Sequence, residues 1–374
     1  MEEWKTYTLK DLSKGKGEYG IGAPAIPFNK DKYTYLRITD INDDGTLNYS
    51  GLMSVDSEDA EKYLLEKNDI VFARTGNSTG RSYFYDGRDG VLVYAGFLIR
   101  FRLDDQKVNP RILKYYTHSQ PYYNWVKSFD TGGTRGNINA KTYGDMPLCL
   151  PPRPIQNRIV EILDALDDKI ENNRRINDNL EQQAQALYKQ WFVDNCNESW
   201  NKRKLSDFFN VITGKKDANY STDNGEFPFF TCSQDILKAP NYSFDGAAIL
   251  LAGNGDFNVK RYIGRFEAYQ RTYVLIPFDQ RYHSFLYLTI KYYLQEITGG
   301  SRGSVIKFIT KGNIADFEIS IPNDDISNKL EILDSLYANI DINTKENQNL
   351  AILRDTLLPR LMSGELSVND VLVY

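Results

Sequence analysis

Cysteine and histidine are scarce in this chain of 374 residues. Its three cysteines, Cys149, Cys196 and Cys232, stand far apart and are odd in number. That fits buried or inert thiols in a reducing cytoplasm better than a disulfide framework or a metal site. No apolar run is long enough to span a bilayer. The opening MEEWKTYTLKDL is acidic and polar, which excludes a signal peptide and points to a cytoplasmic location. Positive charge is not in excess: 45 Lys and Arg face 50 Asp and Glu, for a net charge of −5. A free-standing nucleic-acid binder is usually basic, so such a role requires basic residues gathered on one face or supplied by partners.

Catalytic motifs are missing too. No glycine-rich dinucleotide fingerprint opens a βαβ unit, and no Gly-x4-Gly-Lys-Ser/Thr loop exists; GNSTGR is too short and lacks the lysine. LPPRP is not the Asn/Asp-Pro-Pro-aromatic motif of amino-methyltransferases. The only histidines, His118 and His283, fall at unequal places in the repeat described below, so they form no shared triad. The stretch DDQK at 104–107 occurs once, in a turn-like context. The expectation is a chain without catalysis, metal or cofactor of its own.

What is present is a repeat. TGGTRGNI (131–138) returns as TGGSRGSV (298–305). EILDAL (161–166) returns as EILDSL (331–336), and KNDIVFARTGN (67–77) resembles DGAAILLAGNG (245–255). YTLKDL (7–12) resembles KRKLSDF (202–208) more weakly. Matching flanks mark a true internal duplication. The chain reads as a globular unit, a helical segment, and the same pair again. The boundaries fall at residues 1–150, 151–195, 196–321 and 322–374.

Each globular part mixes short strands with Gly, Asn and Asp turns. Strands are expected over 69–74, 90–101, 145–151, 247–252, 272–278 and 317–322, from β-branched and aromatic content. Helices are expected over 111–119 and 284–297. This composition predicts an α/β (α+β) fold. Two loops that follow strands, ARTGNSTGRSY (73–83) and AGNGDFNVKRY (252–262), are rich in Gly and Asn and end on basic residues beside an aromatic. Glycine allows close approach of another molecule, while Arg, Asn, Ser and Thr grip phosphates and read base edges. The candidate DNA contacts are therefore Arg74, Thr75, Asn77, Arg81, Thr134, Arg135 and Asn137 in the first copy. In the second they are Asn254, Lys260, Arg261, Arg271, Ser301, Arg302 and Ser304. Tight turns capped by solvated arginines are the plainer alternative.

The helical segments carry a narrow apolar stripe. It runs through Leu163, Leu166, Ile170, Leu180, Ala184 and Leu187, broken at Asn173 and Asn177. The second copy runs through Leu333, Leu336, Ile340, Leu350 and Leu357, broken at Asn343, Asn347 and Arg354. Such spacing predicts a coiled-coil seam in which asparagines mark the register. Asn meets Asn in a parallel or an antiparallel pair. The order of the segments favours two long antiparallel helices and an internal pseudo-two-fold axis. Helices that pack only on their own domains are the alternative. Apolar residues near the seam ends, among them Trp191 and Leu361, are candidates for docking a partner.

These features together resemble the specificity subunit of type I restriction-modification systems. The residues that carry the resemblance are the two Gly-Gly-x-Arg-Gly loops, PPRPIQNRIVEILDALD and IPNDDISNKLEILDSL, and the tail LRDTLLPRLMSGEL (353–366). The resemblance implies two target-recognition domains, each reading one half of a bipartite site in double-stranded DNA. It implies helical spacers that fix the gap. It also implies two modification (methyltransferase) subunits that bring S-adenosylmethionine and, through them, restriction subunits. A two-headed protein-interaction scaffold and an enzyme acting alone are the competing readings.

Overall fold

The computed structural model describes residues 4–130, 136–299 and 308–371. The chain forms two compact units. The first comprises residues 1–170 and 348–374, and the second residues 171–347. Each unit thus contains part of both long helices, Arg153–Lys189 and Ser327–Met362.

The first unit opens with a strand, Lys5–Thr8, paired antiparallel to Pro147–Leu150 just before the first long helix. Two four-stranded sheets follow. One has the order Glu18–Tyr19, Leu98–Arg102, Asp69–Ala73, Ser82–Tyr85. The other has the order Ala25–Pro27, Met53–Val55, Tyr33–Leu36, Leu92–Tyr94, the last two strands parallel. The segment 90–101, read above as one strand, is two strands split by a turn at residues 95–97. The strand Asp69–Ala73 is buried on both faces, as its unbroken apolar run requires. The core gathers Leu9, Phe72, Phe101, Leu113, Tyr143 and Leu163 with Leu358 and Leu361 from the distal helix.

The second unit repeats the opening: Asn201–Lys204 pairs antiparallel to Glu318–Ile321, just before the second long helix. Its main sheet has six strands in the order Phe209–Thr213, Thr272–Pro277, Phe244–Ala252, Val259–Ala268, Phe227–Phe230, Ile236–Ala239. The helix expected over 284–297 is two, His283–Tyr292 and Leu294–Gly299, parted at Tyr293. Its core joins Tyr188, Leu205, Phe285, Ile314 and Leu333. His283 is buried here and sets its Nε2 3.1 Å from the Ala248 carbonyl oxygen, a structural role in which burial lowers its pKa to about 4.

The asparagines of the long helices meet within the second unit. Asn173, 1% exposed, donates from Nδ2 to Oδ1 of Asn347 at 2.9 Å and to Glu346 at 2.6 Å. Asn343 donates to Oδ1 of Asn177 at 2.9 Å. The numbers rise on one helix as they fall on the other, so the helices run antiparallel here. In the first unit, Arg354 interrupts the apolar stripe because it reaches Asp167, 3.0 Å away, which Lys114 also contacts. All described cysteines are free; Cys149 and Cys196 are exposed rather than buried, since Cys149 sits on the outward face of its strand between buried Leu148 and Leu150 and Cys196 lies in the coil after Gln190–Asp194.

Losing a buried hydrogen-bonded group costs about 1–3 kcal/mol. Asn173→Ala should therefore lower the urea midpoint. A double-mutant cycle with Asn347→Ala should show coupling of about 1 kcal/mol. Additive effects of the two substitutions would contradict the bonded pair.

Candidate nucleic-acid interface

The two candidate loops grow from the same backbone frame, most of whose bonds recur in both units. In the first unit Ala73 donates its N–H to Arg81 O at 2.8 Å, which closes the loop 74–80. In the second, Ala252 donates to Asn258 O at 3.0 Å, closing the shorter loop 253–257. Arg74 N–H reaches Phe97 O at 3.1 Å, and Gly253 N–H reaches Arg271 O at 2.9 Å. The carbonyls of Arg74 and Gly253 in turn accept from Ile138 and Ile309, at 3.0 and 3.1 Å. Those isoleucines come after the repeated Gly-Gly-x-Arg-Gly segments in the sequence, so in each unit the candidate loop is tied to the chain that follows that segment.

A third segment completes the frame. Gly20 donates to Leu98 O at 3.2 Å, and Gly214 donates to Thr272 O at 2.9 Å. Gly96 donates to Ile21 O and Gln270 to Lys216 O, both at 2.8 Å. The turns close alike: Leu98 N–H to Ala95 O and Thr272 N–H to Tyr269 O, both at 2.8 Å. A Cβ at Gly20 would lie 2.3 Å from the carbonyl oxygens of Tyr94 and Ala95, and one at Gly214 2.2 Å from those of Ala268 and Tyr269. Neither backbone can move aside without breaking the frame. Gly136 is needed for the same reason, because its Cβ would meet Phe129 O at 2.1 Å.

The side chains on this frame divide by how firmly they are held. Arg74 lies over the exposed Tyr19 ring at 5.0 Å and makes a long bond, 3.4 Å, to Asn137. Contacts of this kind are worth about 1 kcal/mol at an exposed site, little enough to exchange for a phosphate or a base. Asn77 and Asn137 are exposed, and Thr75 is half-buried beside them. Arg271 is exposed, and Asn254 is half-buried in a bridge to Phe308. Thr134, Arg135, Ser301, Arg302 and Ser304 lie outside the described residues.

Three candidates are held within their own unit. Arg261 is 10% exposed, pairs with Asp341 at 2.7 Å and lies over the Tyr337 ring at 4.6 Å. It anchors the sheet to the distal helix, and withdrawing it would leave a carboxylate without its cation. Arg81 bonds the Ile41 carbonyl at 3.1 Å and Asp43 at 2.6 Å. Lys260 donates to Ser233 O at 2.6 Å and to Asn258, and burial pushes its pKa below the ordinary lysine value. Leu361 is 1% exposed and belongs to the first core, so it is no docking residue. The stretch 356–362 turns its apolar side chains inward because the distal helix closes that unit. Trp191 is half-buried against the second core, in a π turn at Gln190–Asp194. The exposed apolar side chains of the long helices are Ile176 and Ile342 in the second unit, and Ile352 and Leu353 in the first.

Sequence reasoning missed several rim residues. Phe97 and Phe308 are 60% and 42% exposed, and Tyr19 joins Arg74. Lys215 and Lys216 extend the second rim. The signal was a glycine directly after a short strand, in EYGIG and in ITGKK. The spacing to the rest of the repeat differs between copies, which hid it.

The type I restriction modification DNA specificity domain model matches residues 1–182 and again 197–351. This chain belongs to that family. It is 38% identical over 174 residues to the EcoDI specificity subunit of Escherichia coli, covering 45% of this chain and 39% of that one. It is 23% identical to the HindI specificity subunit of Haemophilus influenzae, covering 98% of this chain and 100% of that one. Among solved structures, the type I restriction-modification S subunit from M. genitalium shares the fold, with a TM-score of 0.58 at 18% identity over 96% of both chains. Among the described residues no helix is long and apolar enough to cross a membrane, and no group of three His, Cys, Asp or Glu side chains is placed to hold a metal.

Gly20→Ala should disrupt the first frame and cost more than about 2 kcal/mol of stability, in the range of a strained core substitution. Gly22→Ala, whose Cβ meets nothing within 4 Å, should be neutral. Thermal melts of the two variants check this, and equal melting temperatures would contradict the steric account.

Proposed function

We propose that this chain is the DNA sequence-recognition subunit of a type I restriction-modification complex, and that each unit reads one half of an asymmetric bipartite site. The observation that carries the reading is the repeated frame. In each of two family-matched units it offers a weakly held arginine and an exposed phenylalanine on one rigid rim: Arg74 with Phe97, and Arg271 with Phe308. Arginine suits both phosphate and guanine, and the frame's stiffness suits readout of base edges. The rims differ in side chains, which suits two unlike half-sites.

The chain itself carries out no chemistry in this reading. Two modification subunits bring S-adenosylmethionine and transfer the methyl group, and restriction subunits join through them. The partners also supply positive charge, which reconciles the net charge of −5 with DNA binding. Ile176, Ile342, Ile352 and Leu353 give the long helices apolar side chains against which such partners can dock. The helices set the gap between the half-sites. The complex works in the cytoplasm, where the DNA is.

Methylome sequencing of cells with and without the gene tests this. A bipartite methylated motif should vanish with the gene, and the purified chain alone should transfer no methyl group. A methylome indifferent to the gene would refute the assignment.

A further inference from the structure

One backbone position on the frame is filled by opposite chemistries in the two units. Phe97 and Arg271 are equivalent: each gives its carbonyl to the first residue of the candidate loop, and each precedes the residue whose N–H closes the turn. We propose that this position determines one base in each half-site, with Phe97 facing the methyl group of a thymine and Arg271 a guanine. The proposal rests on the DNA-recognition reading above.

The side chains are free to do this. The frame uses only the backbone of these residues. Phe97 is 60% exposed on the rim that holds Arg74 and Tyr19. Arg271 is exposed, and its guanidinium has no hydrogen-bond or ion-pair partner among the described residues. The turn beneath them is fixed, because Gly20 and Gly214 pack their Cα atoms directly against its carbonyls. A residue on so rigid a base is placed closely enough for readout.

The difference between the copies decides what the position faces. A phosphate is gripped by a cation or a hydrogen-bond donor, and phenylalanine is neither. A position that met the DNA backbone in both units would carry a polar group in both. One that meets base edges can carry either, since the bases themselves differ. Arginine forks onto guanine O6 and N7, and an apolar ring suits the thymine 5-methyl group. Position 74/253 does not show this pattern: it holds Arg74 in one unit and a glycine, Gly253, in the other.

The test is methylation profiling of cells carrying the wild-type gene or the variants Phe97→Ala, Phe97→Arg and Arg271→Ala. One good base contact is worth about 1–3 kcal/mol, or roughly 5- to 160-fold in preference. Arg271→Ala should lose that factor at one guanine of one half-site and leave the other half intact. Phe97→Ala should relax one thymine in the opposite half, and Phe97→Arg should turn the preference there toward guanine. Melting temperatures should stay at the wild-type value, since the frame's bonds are untouched. Stable variants that keep the wild-type motif, or that weaken both halves equally, would overturn the inference. A wild-type gene that produces no bipartite motif would defeat the DNA reading itself, which separates the two failures.

Discussion

Everything at the rim depends on a turn pinned against a glycine. Gly20 and Gly214 each bring a backbone within van der Waals contact of two carbonyls, a distance that any Cβ would forbid. The turn so held passes one carbonyl to the first residue of a loop, and that residue passes its own to an isoleucine, Ile138 or Ile309, further along the chain. Three segments far apart in sequence become one rigid edge. All of these bonds are between backbone groups. The side chains on the edge are therefore free to vary without loss of the fold.

That separation suits a protein that reads sequence. The frame is common to both units, while the sheets that support it differ: two four-stranded sheets in the first unit and one six-stranded sheet in the second. The residues on the edge differ as well, with Arg74 answered by Gly253 and Phe97 by Arg271. Firmly held cations such as Arg81 and Arg261 serve the fold, whereas Arg74 is held only by a long bond and a ring contact and Arg271 is exposed.

Much of this was legible in the sequence, for physical reasons. Helix periodicity over 36 and 37 residues is a strong signal, and so were the paired asparagines. The mixed α/β character followed from local propensity, and the two loops that follow strands, at 73–83 and 252–262, pointed to one part of each frame. What remained hidden was set by tertiary contact. Arg261 looks like any loop cation until Asp341 and Tyr337 arrive from a distant helix. Leu361 lies on an apolar stretch near a chain end, yet it closes the first core. Phe97 lies inside a run that reads as one strand, and the turn that exposes it shows only in the folded chain, where Leu98 N–H closes on Ala95 O and Gly96 donates to Ile21 O.

The central claim is that the two units read independently. The most direct test replaces residues 196–321 with the corresponding segment of a relative that has a different second half, then determines the methylated motif. The account predicts a hybrid motif with one half unchanged and the other exchanged. A motif altered in both halves, or unaltered in both, would contradict it.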